Sequence, residues 1–191
     1  MVTGLFFGSF NPIHVGHLAL ANFFLAEELV KEVWFVVSPQ NPLKEKSGLL
    51  DEKHRLQMVN VAIADFARMK ASNIEFKMPQ PSYTIDTLVR LSEKYPKKEF
   101  ALIMGADNLQ TFHKWKNYEE ILKRYRLFVY PRQGFTGGKL KGHPSVNFTS
   151  APIMELSSTQ IRKWVREKKD VRFFMQKDSW EYMSEMNYYK S

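Results

Sequence analysis

Two histidines three residues apart, His14 and His17, stand at the end of the stretch Gly8-Ser9-Phe10-Asn11-Pro12-Ile13-His14-Val15-Gly16-His17. The stretch lies between an apolar run that reads as a strand, Val2 to Phe7, and one that reads as a helix, Val15 to Val30. A glycine-punctuated turn from strand to helix aims backbone N–H groups and the positive end of a helix dipole at one point, which suits a phosphate. Imidazoles at that point add donors, and charge when protonated. Gly16 beside His17 leaves room for an anion at the helix start. Either histidine alone reads equally well as a satisfied core or surface group. The whole pattern, rather than one residue, points to anion chemistry.

Four further constellations carry chemical groups. Ser157-Ser158-Thr159-Gln160-Ile161-Arg162 reads as a helix N-terminus capped by Ser157, with hydroxyls and a guanidinium suited to phosphate oxygens. Pro39-Gln40-Asn41-Pro42-Leu43-Lys44 is a proline-rigid loop ending in a cation. Pro81-Ser82-Tyr83-Thr84-Ile85-Asp86-Thr87 is a loop opening a helix, with Thr84 as the expected cap and N–H groups able to receive a carboxylate. Gly105-Ala106-Asp107 follows a strand, and Trp115 stands just beyond. His54, His113 and His143 fall in no such pattern.

Strand-like and helix-like runs alternate and place these loops. Strands are expected at Val2–Phe7, Glu32–Ser38, Asn73–Met78, Phe100–Met104 and Leu127–Tyr130. Helices are expected from Val15 to Val30, from a cap at Asp51 to Asp65, from Thr84 to Tyr95, over Tyr118–Arg124, and from Ser157 to Lys168. Gly134 to Ser145 reads as loop, and two aromatic-rich segments, Arg172–Met175 and Ser179–Tyr189, follow. Nearly continuous apolar strands between helices imply an α/β fold: a Rossmann-like, doubly wound, mainly parallel sheet with helices on both faces. Ligands of such sheets sit beyond the carboxyl ends of the strands, where Gly8–His17, Pro39–Lys44 and Gly105–Asp107 fall. One domain over residues 1–191 is expected, with a helical segment at about 157–191 packed on it.

Composition narrows the partners. The 191 residues carry a net charge of +8, which suits nucleotides or other anions. The absence of cysteine excludes disulfides, thiolate metal sites and cysteine nucleophiles. No apolar run approaches the ~20 residues that span a bilayer, and no secretory leader opens the chain, so the cytoplasm is expected. No carboxylate pair is spaced for hydrolysis, and no histidine–carboxylate cluster has metal-ligand spacing.

The turn Ser-Phe-Asn-Pro-Ile-His-Val-Gly-His resembles the H-x-G-H signature of the nucleotidylyltransferase superfamily, and its wording is most similar to the bacterial nicotinate-mononucleotide adenylyltransferases. Phe7 stands where that family usually has a second glycine, and Leu43 where it has histidine. The resemblance implies adenylyl transfer from ATP to nicotinate mononucleotide, giving nicotinate adenine dinucleotide and pyrophosphate. It implies His14, His17, Lys44 and Arg162 as the catalytic groups. Gly8, Ser9, Phe10, Gly16, Gly105, Ser157, Ser158, Thr159 and Ile161 would join His14, His17 and Arg162 around ATP. Tyr83, Thr84, Asp86, Asp107 and Trp115 would hold the acceptor. Mg²⁺ would arrive on the ATP phosphates and water, with no metal ligand from the protein. Neither nucleic acid nor membrane is an implied partner, and a homo-oligomer is open. Nicotinamide mononucleotide or phosphopantetheine as acceptor, an inactive scaffold, and a basic nucleic-acid-binding protein on the same fold are the alternatives.

Overall fold

A computed structural model describes residues 2–39 and 48–190. Six strands form one sheet: β1 (Thr3–Gly8), β2 (Glu32–Val37), β3 (Met69–Ser72), β4 (Phe100–Gly105), β5 (Arg126–Tyr130) and β6 (Val146–Phe148). Every pairing is parallel, in the order β3-β2-β1-β4-β5-β6. The strand order reverses between β1 and β4, which opens a crevice at their carboxyl ends. The expected doubly wound parallel fold is the observed one.

Alternate residues of each strand feed two cores. Phe6, Phe35 and Ile103 enter one, with Phe24 of α1 (Val15–Ala26) and Met58 and Val59 of α2 (Glu52–Ala62). Leu5, Trp34 and Leu102 enter the other, with Leu88 and Leu91 of α3 (Thr84–Lys94), Leu109 of α4 (Ala106–Gln110) and Ile121 of α5 (Tyr118–Arg124). Burial on both faces is why the strands read as continuous apolar runs. Ile161 of α6 (Ser158–Arg166) and Met183 of α7 (Lys177–Glu185) join the first core, so the C-terminal helices pack on the sheet layer. The aromatic Trp180, Tyr182, Tyr188 and Tyr189 pack there too, whereas Phe173 is 91% exposed.

Local differences have local causes. Asn73–Met78 is no strand: Ile74–Lys77 is a 3₁₀ turn, and the third strand is the shorter Met69–Ser72. The alternation of Ile74, Phe76 and Met78 imitates a strand period. The short β6 follows the glycine-rich loop, which itself contains a 3₁₀ turn at Gly138–Leu140. Asp51 and Ser157 cap α2 and α6 as expected, accepting from Lys53 N and Gln160 N. Thr84 does not cap α3; Tyr83 is the N-cap residue, and its side chain makes no capping bond.

Arg55 of α2 is fully buried and ties the strand ends together. Its Nη1 donates to Ser9 O at 2.5 Å and Ser38 O at 2.8 Å, its Nη2 to Pro39 O at 3.0 Å, and its Nε to Leu50 O at 2.7 Å. Burial lowers its pKa. Arg55→Met leaves several buried carbonyls without that donor, each such loss costing about 1–3 kcal/mol. Urea unfolding is expected to show at least ~3 kcal/mol of lost stability, with Arg55→Lys recovering only part. A loss below ~1 kcal/mol would remove this role.

Candidate active site

The crevice at the strand reversal holds a cavity of about 360 Å³, lined from both ends of the chain. Gly8, Ser9, Phe10, His14, Gly16 and His17 form one wall, and Ser157, Ser158, Thr159 and Arg162 the opposite one. Asp107 and Asn108 from the β4 end and Tyr130 and Arg132 from the β5 end close the floor.

The first wall is shaped by packing. Phe10 has φ +45°, a left-handed conformation unfavourable for a bulky residue, and is held there by burial. Its ring meets Phe6, Phe35 and His17 edge-on. A side chain at residue 8 would meet that ring at 2.8 Å, so glycine is required there. His14 is the extended residue preceding α1, and its N–H donates to His17 Nδ1 at 3.3 Å. The two imidazoles lie with centroids 3.8 Å apart and planes inclined by 30°.

The opposite wall is bonded directly to this turn. Ser158 Oγ donates to Pro12 O at 2.8 Å, and Arg162 Nη1 to Asn11 O at 2.7 Å. Arg162 Nη2 lies 3.4 Å from Thr159 Oγ1. A guanidinium has five N–H donors, so Arg162 keeps others for an anion in the cavity. Ile161 stands behind the wall, its side chain fully buried in the core.

Asp107 is the carboxylate on the floor. Its Oδ1 is buried without a hydrogen bond among the described residues, and Arg132 Nε lies 3.7 Å from it. Gly105 makes room for it, because a Cβ there would collide with Asp107 Oδ1. Arg132 Nη1 donates to Met154 O at 2.8 Å. Arg132 was missed by sequence reading. It stands in Pro131-Arg132-Gln133-Gly134 immediately after β5, a position that the strand-end rule could have flagged.

Of the expected acceptor residues, Asp107 lines this cavity, whereas Tyr83, Thr84, Asp86 and Trp115 lie off its lining. Asp86 pairs with Lys116 at 2.9 Å, and Lys116 Nζ lies 4.9 Å over the Tyr83 ring. Trp115 packs on Phe112 at 4.9 Å, and its Nε1 is buried without a partner among the described residues. Behind them lies Glu75, which sequence reading placed in a strand. It accepts from Ser82 Oγ at 2.9 Å and Thr87 Oγ1 at 2.7 Å, and the Ser38 hydroxyl reaches it as well. Burial pushes its carboxyl up, against those three hydroxyls. Ser38 N also donates to Gly8 O at 2.9 Å, so the two regions share one hydrogen-bonded seam. The Lys44 expectation falls outside the described residues.

The donor set fits a metal ion that arrives on a polyphosphate. The lining offers guanidiniums, imidazoles, hydroxyls and one carboxylate that faces Arg132. Among the described residues there is no group of three His, Asp or Glu arranged to hold a metal. Nor, among them, is any helix long and apolar enough to cross a membrane.

Residues 5–164 match the family described as Cytidylyltransferase-like. A protein of Flavobacterium johnsoniae named "Probable nicotinate-nucleotide adenylyltransferase" is 50% identical over all of both chains. One of the same name from Cytophaga hutchinsonii is 48% identical, again over all of both. The fold is similar to that of the Plasmodium falciparum nicotinic acid mononucleotide adenylyltransferase solved with NaAD: TM-score 0.81, 19% identity, covering 98% of this chain and 96% of that one.

His14 is neutral at pH 7. Burial, then the charge of Arg132, lowers its pKa from 6.5 to about 4. Between those values the unfolded chain binds more protons than the folded one, so stability rises with pH. The contribution is complete above pH 6.5 and is lost as pH falls toward 4, about 3 kcal/mol in all. Denaturant unfolding at pH 7 and pH 4.5 should show a larger acid-induced loss for the unaltered protein than for His14→Gln. An equal loss would contradict the buried neutral imidazole.

Proposed function

The chain belongs to the nicotinate-nucleotide adenylyltransferases of the cytidylyltransferase-like family, and from this premise we propose that it transfers the adenylyl group of ATP to nicotinate mononucleotide, giving nicotinate adenine dinucleotide and pyrophosphate. One observation supports the reading above others: His14, His17 and Arg162, from opposite ends of the chain, line a single cavity at the strand reversal. An ATP-using enzyme of NAD biosynthesis is expected in the cytoplasm, with Mg²⁺ entering on ATP.

The chemistry needs no base. The acceptor's 5′-phosphate has a second pKa of about 6, so it is already largely dianionic at neutral pH. One of its oxygens attacks the α-phosphorus of ATP, a new P–O bond forms, and the bond to the bridging oxygen of the β-phosphate breaks. The electron pair leaves with pyrophosphate. Two anions must therefore be aligned and their repulsion offset. His14, neutral in the free site, and His17 supply N–H donors toward the α-phosphate and leaving group, while Arg162, Arg132 and Lys44 supply fixed charge. The starts of α1 and α3 present backbone N–H groups, the first to phosphate and the second to the acceptor's carboxylate. Tyr83, Thr84, Asp86 and Trp115 frame the pyridine end, and Asp107 faces ribose. When bound, Mg²⁺ neutralises phosphate charge; it keeps its waters and needs no protein cage.

Pyrophosphate release is the direct test, with ATP and a panel of nicotinate mononucleotide, its amide, and phosphopantetheine. The acid mononucleotide is expected to give the highest kcat/KM. Equal efficiency for acid and amide would remove the carboxylate role of the α3 start, and preference for phosphopantetheine would overturn the acceptor assignment. His17→Ala should fold normally and turn over at least ~10²-fold more slowly, the scale of one preorganised donor. Near-normal turnover would sink that role.

A further inference from the structure

The last turn of the chain reaches into the wall of the cavity. After α7, Asn187 and Tyr189 both take left-handed conformations, with φ of 55° and 62°, and fold the backbone back on itself. Tyr188 N donates to Met183 O at 3.1 Å, and Lys190 Nζ to Asn187 Oδ1 at 2.6 Å, which fixes this reversal. Two non-glycine residues held at positive φ are unfavourable unless the surroundings impose them. Their effect is to deliver the Tyr189 hydroxyl to Asn11 Oδ1 at 2.5 Å.

Asn11 is the hub of the catalytic turn. It is 4% exposed. Its Oδ1 accepts from Tyr189 and from Leu50 N at 3.3 Å, and its Nδ2 donates to Gly48 O at 2.9 Å. Its main-chain carbonyl accepts from Arg162, the guanidinium on the cavity wall. Burial raises the Tyr189 phenol's pKa, with Arg162 and Arg55 opposing, so the phenol stays protonated and acts as a donor. Phenylalanine would fill the same space without this bond.

We infer that Tyr189 is a positioning residue of the adenylyl-transfer site: its hydroxyl fixes the Asn11 side chain, and through the Asn11 carbonyl it sets Arg162 against the polyphosphate. The ATP side of the site then depends on the chain's last turn, and the acceptor side does not. The inference rests on the adenylyl-transfer reading.

The experiment uses the full chain and Tyr189→Phe. Binding of α,β-methylene-ATP with Mg²⁺ is measured by calorimetry, separately from turnover with ATP and nicotinate mononucleotide. Loss of one such hydrogen bond corresponds to roughly three- to tenfold in affinity. The variant should bind the analogue and show KM for ATP weaker by about that factor. KM for nicotinate mononucleotide should move less than ~2-fold and the melting temperature less than ~3 °C, the effect expected of a small change in stability. In an Arg162→Lys background the same substitution should cost less than ~2-fold more, because both act through one contact. Unchanged analogue binding, equal shifts in both KM values, or an undiminished effect beside Arg162→Lys would each overturn the inference. Absence of turnover with nicotinate mononucleotide in the unaltered chain would overturn the acceptor reading instead, since analogue binding is read independently.

Discussion

A guanidinium sealed in the interior is costly unless its N–H donors find partners there. Arg55 offsets that cost with four hydrogen bonds to carbonyls from three places: Ser9 after β1, Ser38 and Pro39 after β2, and Leu50 before α2. Strand ends in a parallel sheet leave carbonyls that the ladder cannot satisfy, and one planar cation collects them here. The loops that must form a binding surface are thereby drawn to a common centre. Ser38 carries the constraint onward, through its amide to Gly8 and through its hydroxyl to Glu75. Glu75 in turn orders Ser82 and Thr87 at the start of α3. The Gly8–His17 turn and the start of α3 are thus spaced by one continuous set of hydrogen bonds.

Charge in the cavity is arranged around the neutrality of the His14 imidazole. Arg132 and burial both disfavour protonation of His14, so the free site presents donors without a further cation. A bound triphosphate reverses that balance, since negative charge nearby favours the imidazolium. Asp107 offsets Arg132 without cancelling the positive field of the wall.

The fold and the path of the Gly8–His17 turn were readable because local rules and tertiary structure agree there. Apolar strands, the Asp51 and Ser157 caps and the glycines at 8 and 16 all act on near neighbours in sequence. What sequence reading lost acts at long range. Arg55 looks like one more solvated cation on a helix of mixed character until four carbonyls converge on it. Glu75 sits in an alternating pattern, and only the fold shows that its carboxyl meets hydroxyls from residues 82 and 87. Asn11 reads as a turn former, yet its partners come from residues 48, 50, 162 and 189. Thr84 carries a good capping side chain, but the chain enters α3 one residue earlier and Thr84 becomes its first helical residue.

The bond between Asn11 and Tyr189 spans 178 residues. A chain leaving the ribosome has β1 and the histidine turn long before Arg162 and Tyr189, which lie 151 and 178 residues beyond Asn11. Several central strand pairs, among them β1 with β2, can form before then, so the sheet can assemble ahead of the site. Asn11 therefore joins groups made early and groups made late, and its bonds to Arg162 and Tyr189 close only once the sheet has brought the two together.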